Sequence, residues 1–547
     1  MITRRTVAGL AAVVALGLAA SACGKSAGSS GGTAGNVSPT QGLVTTTPAG
    51  TVRAGTVTWA VYRDVNSLDP IFAFDYPENT AISLMCESLL RQAPDGSLRP
   101  GLATAANPSP DKWVFTIRPG AKFWDGHPVT PADVVYSLGR QTNPQLGGFY
   151  GQVFNRVKSI TATGPDQVTI SLTQPDYWLE GELSGMPGVI VEKSYAESQG
   201  KNYGTPAGGI MCTGAYRLKS WTPGVGVTAV PNPHYWQPQV RPLVSQIVLK
   251  GVPDTTSLTS GLLTGALGGT YAFGIPTLNQ LKASSEVKVY QGPGWSTDAF
   301  VVSSLKGVLG DVRVRRALSL ALDRRGIINS VYRGAALMPR WFNNPGTFGY
   351  GTKVFAAAYK RAPVMAQDLP EARKLAQEAG AVGKTLTIGT SSQISSVAAV
   401  TGAYQAAAQA IGLKVVLRSV SAQNFINFFT DASARAGVDG FITVNYPDYA
   451  DPAGLLASFE LPKFDQNYDG YDDPAITSVL EQARSTANPA RRAALMVRAE
   501  QLTAQQLPWI PDAQPTSILV LNRHLTGAVA SFSYMGAPWA NSLGGTG

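Results

Sequence analysis

Short runs of alternating or continuous apolar residues take turns along this chain with longer runs whose apolar positions recur at helical spacing. VTWAV (57–61), VTISL (168–172), IVLKG (247–251) and TLTIG (385–389) have the length and β-branched content of strands. Helical periodicity occupies 80–90, 312–330, 370–380, 397–411 and 489–507. Strands that alternate with helices in this way predict an α/β protein. No internal repeat of solenoid length occurs, and the alanine-rich segments serve as helix formers rather than low-complexity sequence.

Two segments carry more than a period. In WVFTIRPGAKFWDGHPVTPADVVYSLGR (113–140), Trp113, Phe115 and Ile117 alternate as in a half-buried strand, and Asp125 and Gly126 supply turn chemistry. Thr130, Pro131 and Asp133 then read as N-cap, first residue and first-turn acid of a helix. In FITVNYPDYADPAGLL (441–456), a buried strand runs into an aromatic and acidic loop and then a helix, with Asp451 placed to cap it.

The ends change the picture. Arg4 and Arg5 precede an uncharged run from Thr6 to Ala20, shorter than the ~20 residues a membrane-crossing helix needs, which predicts a secretory leader over 1–22. The paired arginines leave the general and twin-arginine export routes both open. Residues 24–54 are rich in Gly, Ser and Thr and poor in large apolar groups, the composition of a flexible tether. The remainder, within a chain that is 44% hydrophobic, contains no second apolar stretch of spanning length. The net charge of +9 is scattered rather than gathered into Lys/Arg blocks with interleaved aromatics, which argues against nucleic acid as a partner.

Catalytic chemistry finds little support. There are three histidines, His127, His234 and His524, each in loop-like sequence and none at metal-ligand spacing from a Cys, His or Glu. GAVGKT (380–385) lacks the first glycine of a phosphate loop, since Glu378 stands there, and it precedes a strand instead of a helix. No GxSxG elbow occurs. Asp448 and Asp451 alone would have to serve as an acid/base pair. The expectation is a protein that is not an enzyme, with no metal and no cofactor.

The string 113–140 resembles the signature of family 5 solute-binding proteins, which serve oligopeptide and dipeptide ABC importers. NSLDP (66–70), CESLLRQAPDGSLRPGLA (86–103), TGAYRL (213–218), NPHYW (232–236), DVRVRRALSLALDRRGII (311–328), EARKLAQEAG (371–380) and PARRAALMVRAEQLTAQQLPWIP (489–511) resemble further landmarks of that family, in its order. The resemblance implies a two-lobed α/β fold of the periplasmic-binding-protein type (class II, large peptide-binder form) with a hinge and an interlobe cleft. Lobe I would span 55–293 and be completed by 510–547, and lobe II would span 294–509, with hinge crossings near 293 and 510. Cys23 resembles the acylation site of a bacterial lipoprotein, although Ala20 stands where Leu is commonest. Residues 23–54 would then tether the body to the outer face of the cell membrane. Cys86 and Cys212, the latter where the family usually has Gly, are an exported pair. A disulfide between them, worth roughly 2–4 kcal/mol, is expected, with two buried thiols as the alternative.

The same resemblance implies the site. In peptide-binding relatives a carboxylate three residues before the Asp-Pro dipeptide pairs with the peptide's α-amino group, and Asp448 stands three before Asp451. The main chain around Val444 and Tyr446 would add strand-like contacts. Asn445 replaces a common Trp, Pro447 lacks a donor, and Tyr449 adjoins the anchor. Phe74, Asp75, Tyr76, Trp295 and Trp341 are further cleft candidates, and LLTGALGGTY (262–271) departs from the family by its glycines. The expected role is the substrate-binding component of an ABC importer, a monomer that delivers short peptides to a membrane permease. A metal chelate, haem or oligosaccharide as ligand, or a non-transporting envelope interaction protein, are the alternatives.

Overall fold

The computed structural model describes residues 42–547 apart from 273–275, 393–394 and 465. The leader, Cys23 and the first part of the tether therefore lie outside the described residues. The last part of the predicted tether is not loose. Val44 N–H donates to Gln291 O, Thr46 bridges Val529, and Thr47 Oγ1 accepts from the Gly527 and Ala528 N–H groups. Gly50 packs so tightly on Gly544 that a Cβ would lie 2.5 Å from its Cα. Composition predicted freedom as far as residue 54. Backbone and threonine hydrogen bonds, which composition does not reveal, hold the chain from residue 44 onward.

Two sheets organise the body. The first has seven strands in the order Val287–Gly292, Ser517–Asn522, Gly269–Ala272, Ala54–Val61, Val244–Gly251, Gly226–Pro231 and Tyr216–Thr222. Its centre is parallel, Ala54–Val61 running with both Val244–Gly251 and Gly269–Ala272. The departure at 262–271 has its reason here, because a Cβ on Gly269 would stand 2.7 Å from the buried Trp59 ring. The second sheet has six strands in the order Ala336–Leu337, Trp509–Pro515, Thr297–Val302, Gly440–Asn445, Thr385–Thr390 and Lys414–Ser419.

The chain passes between these sheets twice, at 293–296 and at Thr516. The second passage comes later than the position near 510 expected from sequence. Trp509 and Ile510 are buried and register against Val301 and Phe300, so burial keeps this strand in the second sheet to its end. Pro511, which has no N–H to donate, sits where that register shifts between Asp298 and Ala299.

The signature segment forms part of a smaller four-stranded antiparallel sheet, Ala103–Ser109, Lys112–Ile117, Gln167–Leu172 and Val157–Ala162. Trp113, Phe115 and Ile117 are buried on its inner face. Thr130 and Asp133 form a reciprocal capping box at the head of the helix Pro131–Gln141, with Thr130 N–H 2.9 Å from Asp133 Oδ2.

Two helices differ from their periodicity. The helical run over 312–330 breaks into Val312–Ala321 and Arg324–Ser330, because the Asp323 carboxylate accepts from Gly326 N–H and starts a new helix. The helix expected over 80–90 spans Tyr76–Met85 instead, begun by the Asp75 cap. Cys86 beyond it is extended (φ −117°, ψ 160°). That extension turns Cys86 toward Cys212, and the two form a disulfide with Cα atoms 4.9 Å apart, closing a loop of sequence separation 126. Changing both cysteines to alanine is expected to lower the unfolding free energy in urea by roughly 2–4 kcal/mol. Free thiols at both positions in non-reduced peptides of the exported protein would refute the bond.

Candidate ligand-binding site

The strand Gly440–Asn445 is central in the second sheet, and its register places Asn445 opposite Thr297 and Val444 opposite Asp298. On its other edge, pairing with Thr385–Thr390 covers only Gly440 and Phe441. Thr443, Val444 and Asn445 therefore have no strand partner on that side among the described residues, and their main chain can accept an extended ligand. The strand stops as Asn445 Oδ1 takes the Tyr446 N–H at 2.9 Å. Five residues later the Asp451 carboxylate caps the helix Pro452–Glu460 through Ala453 N–H, also at 2.9 Å.

Between these two anchors lies Asp448. Its backbone is clamped by Gln92, whose Nε2 donates to Asp448 O at 2.9 Å while its Oε1 accepts from Ala450 N–H at 2.9 Å. Asp448 Oδ1 accepts from the Tyr150 hydroxyl at 3.2 Å. Among the described residues no Lys, Arg or His makes an ion pair with it. Burial raises its carboxyl to about 7, against the opposing pull of the Tyr150 hydrogen bond. Burial, and next the charge on Asp448, also raise Glu182 well above the ordinary carboxylate range. Asp451 is pushed up to about 6 by burial, against the opposing charge of Arg492.

Aromatic rings wall the same junction. Tyr446 stacks edge-on to Tyr76 at 4.9 Å and lies 5.1 Å from Phe532, and its hydroxyl donates to Phe74 O at 3.0 Å. Phe74 stacks on Phe149 at 4.7 Å, which in turn meets Tyr150 edge-on. Trp295, at the first passage between the sheets, is buried against Phe532. Residues 445–451 come from the body of the second sheet. Phe74, Tyr76, Gln92, Phe149, Tyr150 and Glu182 come from segments outside it. The site is the place where these parts meet.

Several expected contacts have other duties. Asp75 caps the helix Tyr76–Met85, accepts from the Tyr62 hydroxyl and shares Arg63, 2.6 Å away, with Glu78. Trp341 lies in the core of the second body, edge-on to Tyr359 at 5.4 Å, and does not join the site. Asn445 Nδ2 donates to Gln466, which turns the side chain back onto its own body. Tyr449 is buried flat on Gly181, where a Cβ would come within 2.2 Å of the ring, and acts as a packing contact. Tyr150, Gln92, Phe149, Phe532 and Glu182 were not found from sequence. Gln92 does fall within the CESLLRQ landmark, but nothing in that string distinguishes a clamp from a surface glutamine.

The middle region of the bacterial extracellular solute-binding proteins, family 5, matches residues 97–467, more than half of the chain. The chain belongs to this family. It is similar to the periplasmic murein peptide-binding protein MppA of Escherichia coli, with 27% identity over 488 residues that cover 84% of this chain and 88% of MppA. The periplasmic oligopeptide-binding protein OppA of the same organism is 27% identical over 461 residues, covering 80% of this chain and 83% of OppA. The solved structure of the DppA periplasmic binding protein of Helicobacter pylori, in complex with the peptide STSA, superposes with a TM-score of 0.77 at 20% identity. That match covers 90% of this chain and 99% of DppA. The fold is that of a periplasmic binding protein.

Proposed function

We propose that this chain is the substrate-binding component of an ABC import system, which captures short peptides between its lobes and hands them to a membrane permease. The observation that carries the reading is Asp448, a carboxyl raised by burial, without a basic partner among the described residues, at the lobe junction. A peptide's terminal ammonium supplies the charge that compensates it, and the free edge of Thr443–Asn445 supplies main-chain contacts that do not depend on the peptide's sequence. The peptide-binding names of MppA and OppA and the peptide in the DppA structure support the same substrate class.

The mechanism is lobe closure. The hinge lies at the two passages between the sheets, residues 293–296 and Thr516, with lobe II between them. Ligand contacts that exist only when the lobes meet shift the open–closed equilibrium toward closure. Contacts away from the ligand complete the closed form: Arg484 pairs with Asp176 at 2.5 Å, and Arg156 pairs with Glu481. The chemistry is binding without catalysis. The protein acts as a monomer on the outer face of the cell membrane, held by a lipid on Cys23.

Native mass spectrometry of protein purified from its own membrane tests both ends of this reading. The expected result is a co-purifying short peptide that denaturation releases, and an acylated Cys23. A metal chelate or sugar in place of the peptide would overturn the substrate class, and an unmodified Cys23 the anchor.

A further inference from the structure

The signature turn and the start of a distant helix bring three metal-ligating groups to one point, far in function from the lobe junction. His127 Nδ1 lies 2.8 Å from Asp125 Oδ2 and 3.0 Å from Glu192 Oε1. One donor atom from each residue lies within 4.8 Å of the other two. Sequence spacing does not show this set, because Glu192 is 65 positions from His127.

The parts are fixed in place by bonds independent of any ion. Gly126 takes φ 95°, His127 N–H donates to Asp125 Oδ1 at 3.0 Å, and Phe123 N–H donates to His127 O at 2.9 Å, which sets the turn. Glu192 precedes the helix Lys193–Gln199, and the neighbouring Lys193 N–H is tied to Asp133 Oδ1 at 2.9 Å. The Glu192 side chain is only 7% exposed, whereas the imidazole is 70% exposed, so an ion reaches the buried carboxylate past an open histidine. A cavity of about 380 Å³, lined by His127, Glu192, Thr130, Asp133 and Glu197 among others, opens beside them.

Two carboxylates face one imidazole. Among the described residues neither Asp125 nor Glu192 pairs with a Lys or Arg, and the Lys193 ammonium lies 3.9 Å from Glu197. Two carboxylates and one imidazole form a donor set that suits a borderline divalent ion, since calcium and magnesium prefer oxygen alone. Zinc bonds of ~2.0–2.2 Å to nitrogen and oxygen place tetrahedral donors ~3.3 Å apart. The two separations from His127, 2.8 and 3.0 Å, need to open by roughly half an ångström or less to reach that. A water from the cavity would fill the fourth position.

We infer that Asp125, His127 and Glu192 form a surface site for a divalent transition-metal ion of the zinc type, distinct from the ligand cleft. Calorimetric titration of tag-free mature protein, stripped with EDTA, with zinc sulfate tests it. One equivalent should bind, His127→Ala should abolish that binding, and His234→Ala should leave it unchanged. Glu192→Gln should weaken it by at least the ~10-fold that changes around metal ligands cost. His127 is exposed, so its alanine variant folds, and a melting curve in EDTA checks this. Absence of zinc binding by the wild type, or equal binding by His127→Ala, would overturn the site.

Discussion

Asp448→Ala is expected to reduce affinity for short peptides with a free N-terminus by roughly 30-fold to several thousand-fold, the range for truncating one partner of a buried charge pair. The protein itself should not suffer. A carboxyl that burial has raised to about 7 is a cost to the unliganded fold once ionised, so at pH 8 the variant's melting midpoint should equal or exceed that of the wild type. Peptides acetylated at the N-terminus give the control, because they bring no ammonium. They should bind the wild type and the variant about equally weakly. Isothermal titration of the four combinations isolates the coupling between ammonium and carboxylate. If the free-amine peptides bind Asp448→Ala as tightly as wild type, the amine anchor lies elsewhere. Tyr150→Phe removes only a neutral hydroxyl at 3.2 Å and should cost far less.

What the sequence could disclose follows from how local each feature is. The strand, turn and capped helix of 113–140 are written in adjacent residues, and the fold keeps them, down to the Thr130 and Asp133 capping box. Asp448 was singled out by the resemblance, from its place three residues before Asp451, and the strand end and the Asp451 cap on either side of it are local signals. Its partners were not. Tyr150 is 298 positions away, and Gln92 is 356, and no period or motif connects them to the loop. Aromatic and acidic residues misled in the other direction. Asp75 and Trp341 have the chemistry of a cleft, yet the first caps a helix and pairs with an arginine twelve positions back, and a core encloses the second. The bound portion of the tether was hidden for the same reason, since Thr47 meets residues near 528 that only the completed fold brings to it.

Peptide affinity should depend on pH in a form that the proton count fixes. Asp448 faces the Tyr150 hydroxyl and the carboxyl of Glu182, with the Tyr446 ring beside it. Burial and the Asp448 charge keep Glu182 well above its ordinary range, so the two acids do not ionise together. Below a pH of about 7 the free protein carries a proton on Asp448 and the peptide carries one on its amine. The complex holds a single proton between them, whether written as carboxylate and ammonium or otherwise. Binding then releases one proton, and affinity climbs roughly tenfold per pH unit up to that point. It levels off near neutrality and falls once the free peptide amine, with its ordinary value of ~7.7–8.0, loses its own proton. Titrations at pH 5.5 in buffers of different ionisation enthalpy should count close to one proton released per peptide bound. Asp448→Asn should abolish the acid limb and, because the carboxylate that favours the ammonium over the neutral amine is gone, flatten the alkaline fall as well. An affinity that stays level between pH 5 and 7 would mean that Asp448 is already ionised before the peptide arrives, and that the peptide amine is not what compensates its burial.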